Sequence, residues 1–131
     1  MTKKTGNEGL TLIELMVATA LLAFGAVAGL TLLIQAHSAN NFSRAKTSAI
    51  NAAEQQLEAI FLWNPATVFT TFNGVEFPVA GLTRPGGVDA GLITVSANQP
   101  HDVTVSVVWQ GQGTLKAGQV TLNALRCEAQ R

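Results

Sequence analysis

Apolar residues fill the chain from residue 10 to residue 34 almost without interruption. Only Glu14 and three threonines break this run. At about 1.5 Å per residue, a helix over the segment is roughly 37 Å long, which is enough to cross the hydrocarbon core of a bilayer. The pattern therefore predicts a membrane-spanning helix over residues 10–34.

Between residues 35 and 62 the apolar residues lie on one side of a helix instead of all round it. They recur at steps of three and four, and polar residues fill the positions between them. The apolar positions are Phe42, Ala45, Ala49, Ala53, Leu57 and Ile60. Pro65 stops the pattern, because the residue before a proline is biased away from helical backbone angles. We therefore predict one continuous helix to about residue 62, whose second half is amphipathic and packs across a sheet.

After Pro65 the apolar residues alternate with polar ones, which is the period of a β-strand. Five segments fit this pattern: 68–72, 75–79, 92–97, 103–109 and 119–125. Sequences that favour turns separate them. Together with the helix they predict an α+β fold, in which a long N-terminal helix packs on a small antiparallel sheet of about four strands.

Glu14 is the one charged residue inside the predicted membrane helix. A carboxylate there costs on the order of 3 kcal/mol on insertion scales, and the helix contains no basic residue to pair with it. Cleavage of the chain after Gly9 would create a cationic α-amino group on Leu10. If neighbouring helices are staggered, this amine of one copy can pair with Glu14 of the next, so the partner is expected to come from outside the helix.

The apolar run follows a short basic leader that ends in a glycine. An acid lies inside the run, five residues after that glycine. Residues 9–15, GLTLIEL, thereby resemble the class III leader and N-terminal helix of type IV pilins and pseudopilins. The resemblance implies cleavage after Gly9 by a prepilin peptidase, methylation of the new terminus at Leu10, and filament assembly with Glu14 as the contact. One departure is Leu10 itself, where major pilins usually carry phenylalanine.

The resemblance also implies how the chain is divided and where it is located. Residues 1–9 would be the leader peptide, 10–34 the transmembrane and filament-core helix, and 35–131 the head domain. Before assembly we expect a single-pass protein of the inner membrane, with its head outside the cytoplasm, and afterwards a subunit of a filament. The expected partners are other pilins or pseudopilins, the prepilin peptidase, inner-membrane lipid and an assembly platform.

Weaker signals bear on the type of subunit. Major pilins commonly close a C-terminal loop with a disulfide, and Cys127 is the only cysteine here. A strand ending in Trp109, followed by a glycine turn and a last strand, is similar to minor pilins of the type IV pilus and to the corresponding type II secretion pseudopilins. The lack of a second cysteine favours a minor pilin. Alternatives are a major subunit, a type II secretion pseudopilin, or a membrane-anchored tip adhesin or DNA-binding module.

Two other interpretations of the N terminus remain open. A secretory signal would be cut beyond its apolar core, near residues 36–39, but such cores are only about 7 to 15 residues long. A plain membrane anchor would be oriented by Lys3 and Lys4 under the positive-inside rule. That interpretation gives Glu14 no role.

Composition argues against several other classes of protein. Charged residues make up only 12% of the chain, with eight basic and eight acidic side chains, so nucleic acid is not an expected partner although the DNA-binding alternative stays open. His37, His101 and Cys127 lack the spacing of a zinc site. His101 and Asp102 are predicted to be turn residues, since no nucleophile motif accompanies them. We expect no cofactor, no metal and no enzymatic activity.

The first prediction concerns processing. Mass spectrometry of the membrane protein should show that residues 1–9 are lost and that the mature chain begins at Leu10, with one added methyl group. Gly9→Ala should slow cleavage and Gly9→Val should block it, because each places a side chain where the family's peptidase accepts almost none. An intact leader in the wild-type protein would contradict this prediction.

Overall fold

The computed structural model describes residues 11–98 and 100–126. The chain divides into two compact units, one up to His37 and one from Ser38 onward. The proposed leader over 1–9 and the functional boundary between residues 34 and 35 stay predictions. We describe the second unit here as the head, and the first unit with the candidate site below.

One helix, α1, runs without a break over Leu12–Leu62, which confirms the predicted long helix. It ends one residue before the Asn64-Pro65 pair, in agreement with the bias of the residue before a proline away from helical angles. In the head, the predicted stripe of α1 is buried at Ala45, Ala49, Ala53 and Ile60. Phe42 and Leu57 are half-buried against the same core. The middle of the stripe consists of alanines, which belong to the same buried cluster as the valines of β3.

The segment after α1 is helical, and the prediction of a strand over residues 68–72 is wrong. A 3-10 turn over Pro65–Thr67 leads into a short helix, α2, over Val68–Phe72. The apolar residues of α2 lie at one- and four-residue steps, which match a helix better than a strand. The rings of Trp63 and Phe72 are perpendicular, with their centroids 5.8 Å apart. This contact and the burial of Val68 attach α2 to the core.

The sheet has four antiparallel strands in the order β1-β2-β3-β4, as the predicted α+β fold requires. They are β1 at Glu76–Phe77, β2 at Gly91–Val95, β3 at His101–Trp109 and β4 at Gly118–Arg126. The predicted strand over 75–79 is therefore reduced to two residues. The last two predicted strands are each extended by one or two residues at their ends.

Strand β3 is the centre of the core. Val105 pairs with Ile93 on one side and with Leu122 on the other. Alternate residues of β3, namely His101, Val103, Val105, Val107 and Trp109, are buried. Because side chains alternate between the two faces of a strand, the intervening residues form the outer face of the sheet.

His101 and Asp102 are strand residues and not the turn residues that the sequence predicts. They pair with Arg126 and Leu125 of β4. His101 is buried, and its Nδ1 lies 2.7 Å from the carbonyl oxygen of Ser96. The prediction erred because the burial of His101 depends on the turn at Ser96, which the sequence pattern around the histidine does not show. In the structure the histidine ring closes the end of the core beside the turn.

Trp109 fills the opposite end of the core. Its indole Nε1 donates a hydrogen bond of 3.0 Å to the carbonyl oxygen of Lys116, and its ring centroid lies 6.1 Å from that of Phe42. Gly118 lies directly against the indole, and a Cβ at this position would clash with Trp109. The absence of a side chain at residue 118 therefore allows the tryptophan to pack.

A second prediction follows from this division of the chain. A fragment from Gln35 to the C terminus keeps the whole stripe of α1 and all four strands, so it should be soluble and folded. Circular dichroism should show mixed helix and strand with a cooperative thermal transition. An unfolded fragment would mean that the sheet depends on contacts with neighbouring subunits.

A third prediction tests the fit between Gly118 and Trp109. Gly118→Ala should lower the free energy of unfolding of the head by about 1–3 kcal/mol, the usual range for overpacking. Gln119→Ala is the matched control, because Gln119 is exposed on the same strand. Urea titrations of both variants give the measurement. Equal stabilities would show that the indole can move away without loss.

Candidate processing and assembly site

The candidate site lies at the start of α1, where the sequence predicts cleavage and the assembly contact. Gly9 and Leu10, the predicted processing residues, lie outside the described residues. Glu14, the predicted assembly residue, lies in the first turn of α1. The geometry of the site is therefore given by Thr11 and Glu14.

Thr11 and Glu14 form a reciprocal cap on the N-terminal end of α1. Glu14 Oε2 accepts hydrogen bonds of 3.0 Å from both the backbone N–H and the hydroxyl of Thr11. In return, the Thr11 hydroxyl oxygen accepts a bond of 3.3 Å from the Glu14 N–H. The Thr11 carbonyl accepts the first bond of the helix, from Leu15 at 3.2 Å. This arrangement is a capping box, which satisfies N–H groups that a helix start otherwise leaves without partners.

The sequence analysis missed this role of Glu14. The signal is present, because Thr-x-x-Glu immediately before an apolar run is the sequence pattern of a capping box. The cap gives the carboxylate hydrogen bonds but no opposite charge. Among the described residues, donors reach only Oε2 and none reaches Oε1. The site can therefore still accept a cation at the second oxygen.

The rest of the first unit exposes apolar side chains all round the helix. The most apolar part of α1 has no buried residue. By length and composition this helix can cross a membrane. Leu21, Leu22 and Phe24 are each exposed over two thirds or more of their surface. Such a surface is unfavourable in water and favourable in lipid, and this apolar helix near the start of the chain fits a membrane anchor.

The threonines in the apolar run also suit an apolar surrounding. The Thr19 hydroxyl donates to the carbonyls of Leu15 and Met16, at 3.0 and 2.9 Å. The Thr31 hydroxyl donates to the carbonyl of Ala28 at 2.7 Å. In lipid, polar groups must find partners inside the protein. Both hydroxyls are satisfied by their own helix, so they need no water.

A known protein-family model matches the N-terminal part of the chain. Residues 4–33 match the family model described as the prokaryotic N-terminal methylation motif. The match supports the resemblance of this segment to the class III leader of type IV pilin-like and pseudopilin proteins. It includes residues 4–9 of the expected leader, the capping box and the apolar part of α1 up to residue 33. No curated protein and no solved structure matches the chain.

The other polar residues considered from the sequence belong to different parts of the chain. His101 is buried beside Ser96 in the head, where its ring has a structural hydrogen bond. His37 is exposed on α1, and Cys127 lies outside the described residues. The expectations that the protein binds no metal or cofactor and has no enzymatic activity stay predictions.

Proposed function

We propose that the chain is a minor pilin-like subunit of a type IV pilus or a related filament. It is cut after Gly9 by a prepilin peptidase and assembled through its N-terminal helix. The observation that carries the proposal is Glu14, the one acid in an otherwise apolar and exposed helix, within the segment that matches the methylation motif. A type II secretion pseudopilin is the second candidate, because it shares this motif.

Before assembly, the protein is stored in the inner membrane with residues 10–34 in lipid. The head, residues 35–131, lies outside the cytoplasm. In this state Glu14 is tolerated because the capping box satisfies one carboxylate oxygen and because the acid lies near the end of the segment. Its negative charge is still unfavourable there, by on the order of 3 kcal/mol at the helix centre and less toward the end.

Assembly removes this unfavourable state. In the filament core, the carboxylate of one copy pairs with the α-amine of Leu10 on an adjacent subunit. The two charges lie in an apolar surrounding, where their attraction is strong and where either one alone would be costly. The pair therefore favours a staggered contact between helices over the dispersed, membrane-stored state. Its function is to position subunits, and no bond is made or broken.

The capping box and the charge pair make different demands on Glu14, so they can be separated by substitution. Glu14→Gln keeps the capping box, since glutamine serves at this position of the motif, but it removes the charge. Thr11→Val removes the hydroxyl from the cap but keeps the charge. Loss of such a cap costs about 1 kcal/mol, whereas breaking a buried charge pair costs about 3 kcal/mol or more.

The fourth prediction is that the charge matters more than the cap. Glu14→Ala should greatly reduce filament incorporation, Glu14→Gln should be intermediate, and Thr11→Val should be close to wild type. All three should insert in the membrane, since removing an acid from this helix does not hinder insertion. The measurement is the ratio of protein in sheared filaments to protein in membranes.

The opposite order would overturn the pairing. If Thr11→Val is impaired and Glu14→Gln behaves as wild type, Glu14 acts only as a helix cap. If the wild-type protein is found in membranes but never in sheared filaments or in purified pseudopili, the proposed function itself fails.

A further inference from the structure

A groove in the head carries an isolated positive charge. It has a volume of about 330 Å³ and lies within the head, between α1 and two turns near residues 80–82 and 112–115. Arg44 is the one charged residue among the described residues that line it. The other polar residues of the lining are neutral: Asn41, Ser48, Gln112 and Thr114. The remaining lining residues are apolar or glycine, so the groove has a mixed lining with one positive charge.

Hydrogen bonds within the head hold the walls of the groove together. Ser38 Oγ donates a hydrogen bond of 2.9 Å to the carbonyl oxygen of Thr114, and Asn41 Nδ2 donates one of 2.8 Å to the Thr114 hydroxyl. These bonds attach the turn between β3 and β4 to α1. Arg44 itself has no ion pair among the described residues, where the one salt bridge joins Arg84 to Glu76 at 3.1 Å.

An acidic pair lies farther along the same helix. Glu54 and Glu58 are both exposed and are four residues apart on α1. Side chains at this spacing are neighbours on a helix surface, and two like charges there repel each other. Neither acid has a salt-bridge partner among the described residues. A cation supplied by another molecule would relieve this repulsion.

The groove and the acidic pair cannot meet within one molecule. At 3.6 residues per turn, Arg44 is about 80° around the helix axis from Glu54 and about 40° from Glu58. Along the axis it is about 15 Å from the level of Glu54 and about 21 Å from that of Glu58. The two surfaces are thus complementary in charge and are separated mainly in height.

We propose that the Arg44 groove binds Glu54 and Glu58 of a second copy of this chain. This inference rests on the proposed function, because anchoring by the same N-terminal helix keeps two copies parallel. Parallel copies at equal height would place Arg44 beside Arg44. The charges meet only when the two copies are displaced by about 15–21 Å along the part of α1 that belongs to the head.

The contact has a consequence for assembly. It joins two different surfaces, so each copy that offers its acidic pair still has a free groove, and each copy that offers its groove still has a free acidic pair. Such a heterologous contact between parallel copies repeats along a filament and does not close into a dimer. Two or more copies of this subunit can therefore lie together in a filament. The offset of this contact exceeds the stagger of roughly 6 Å that the Glu14–Leu10 pairing implies, so the two contacts join different neighbours.

Charge reversal in the full-length protein tests the contact and is the fifth prediction. Arg44→Glu, and separately Glu54→Lys with Glu58→Lys, should each lower the filament-to-membrane ratio by roughly tenfold, because like charges then face each other. Combining all three substitutions restores opposite charges and should restore most of the ratio. Lys46→Glu is the matched control. It makes the same charge change on α1, outside the groove lining, and should behave as wild type.

A chemical cross-link identifies the partner. In an Arg44→Lys variant, a carbodiimide should couple the new amine to Glu54 or Glu58 in cells expressing the protein. Mixing isotopically heavy and light copies distinguishes links between molecules from links within one. Mass spectrometry should find mixed heavy and light peptide pairs joining residue 44 to residue 54 or 58.

The outcomes separate this inference from the proposed function. If the wild-type protein enters filaments and Arg44→Glu is no worse than Lys46→Glu, the groove contact is wrong and the pilin-like function stands. A link from residue 44 only to a different pilin also overturns it, since the groove then has another occupant. If the protein never enters filaments, the proposed function fails. The absence of the mixed cross-link from membranes would then overturn the groove contact as well.

Discussion

Burial of the alanine stripe of α1 in the core is the constraint on which the head depends. Ala45, Ala49 and Ala53 belong to the same buried cluster as the valines of β3. Because alanine side chains are small, the stripe leaves room for those valines, and four short strands and one helix can share a core in a small unit. The larger apolar residues at each end of the stripe close the core. In the described part of the first unit the side chains of the same helix are exposed, so one element meets two different surroundings.

The elements with a strong hydrophobic period were predictable from the sequence. The length of α1, the stripe and strands β2 to β4 follow from the period of their apolar residues and from the proline that ends the helix. The helical conformation of residues 68–72 was not predictable, because five residues are too few to distinguish a helical from a strand period. His101 was misplaced for a related reason, since its burial depends on the turn at Ser96 and not on its neighbours in sequence.

The candidate sites also differ in how far the sequence predicts them. Glu14 was found because a lone charge in an apolar run is conspicuous, but its hydrogen bonds to Thr11 were missed although the Thr-x-x-Glu pattern was visible. The groove at Arg44 could not be found from sequence. Its walls come from α1 and from two turns tens of residues away, and only the folded sheet brings them together. Likewise, nothing in the local sequence of Gly118 shows that a tryptophan nine residues earlier occupies the space beside it.

The sheet has two unequal edges. On one side β1 pairs over two residues only, while on the other side β4 runs for nine residues and carries no charged residue before Arg126. A long, uncharged edge is a template on which a foreign strand can add, and many proteins protect such edges with lysines, prolines or bulges. Between Gln119 and Leu125 β4 has neither lysine nor proline. The β4 edge is therefore the place where a further strand, including β4 of a second head, can add to the sheet without any change in the core.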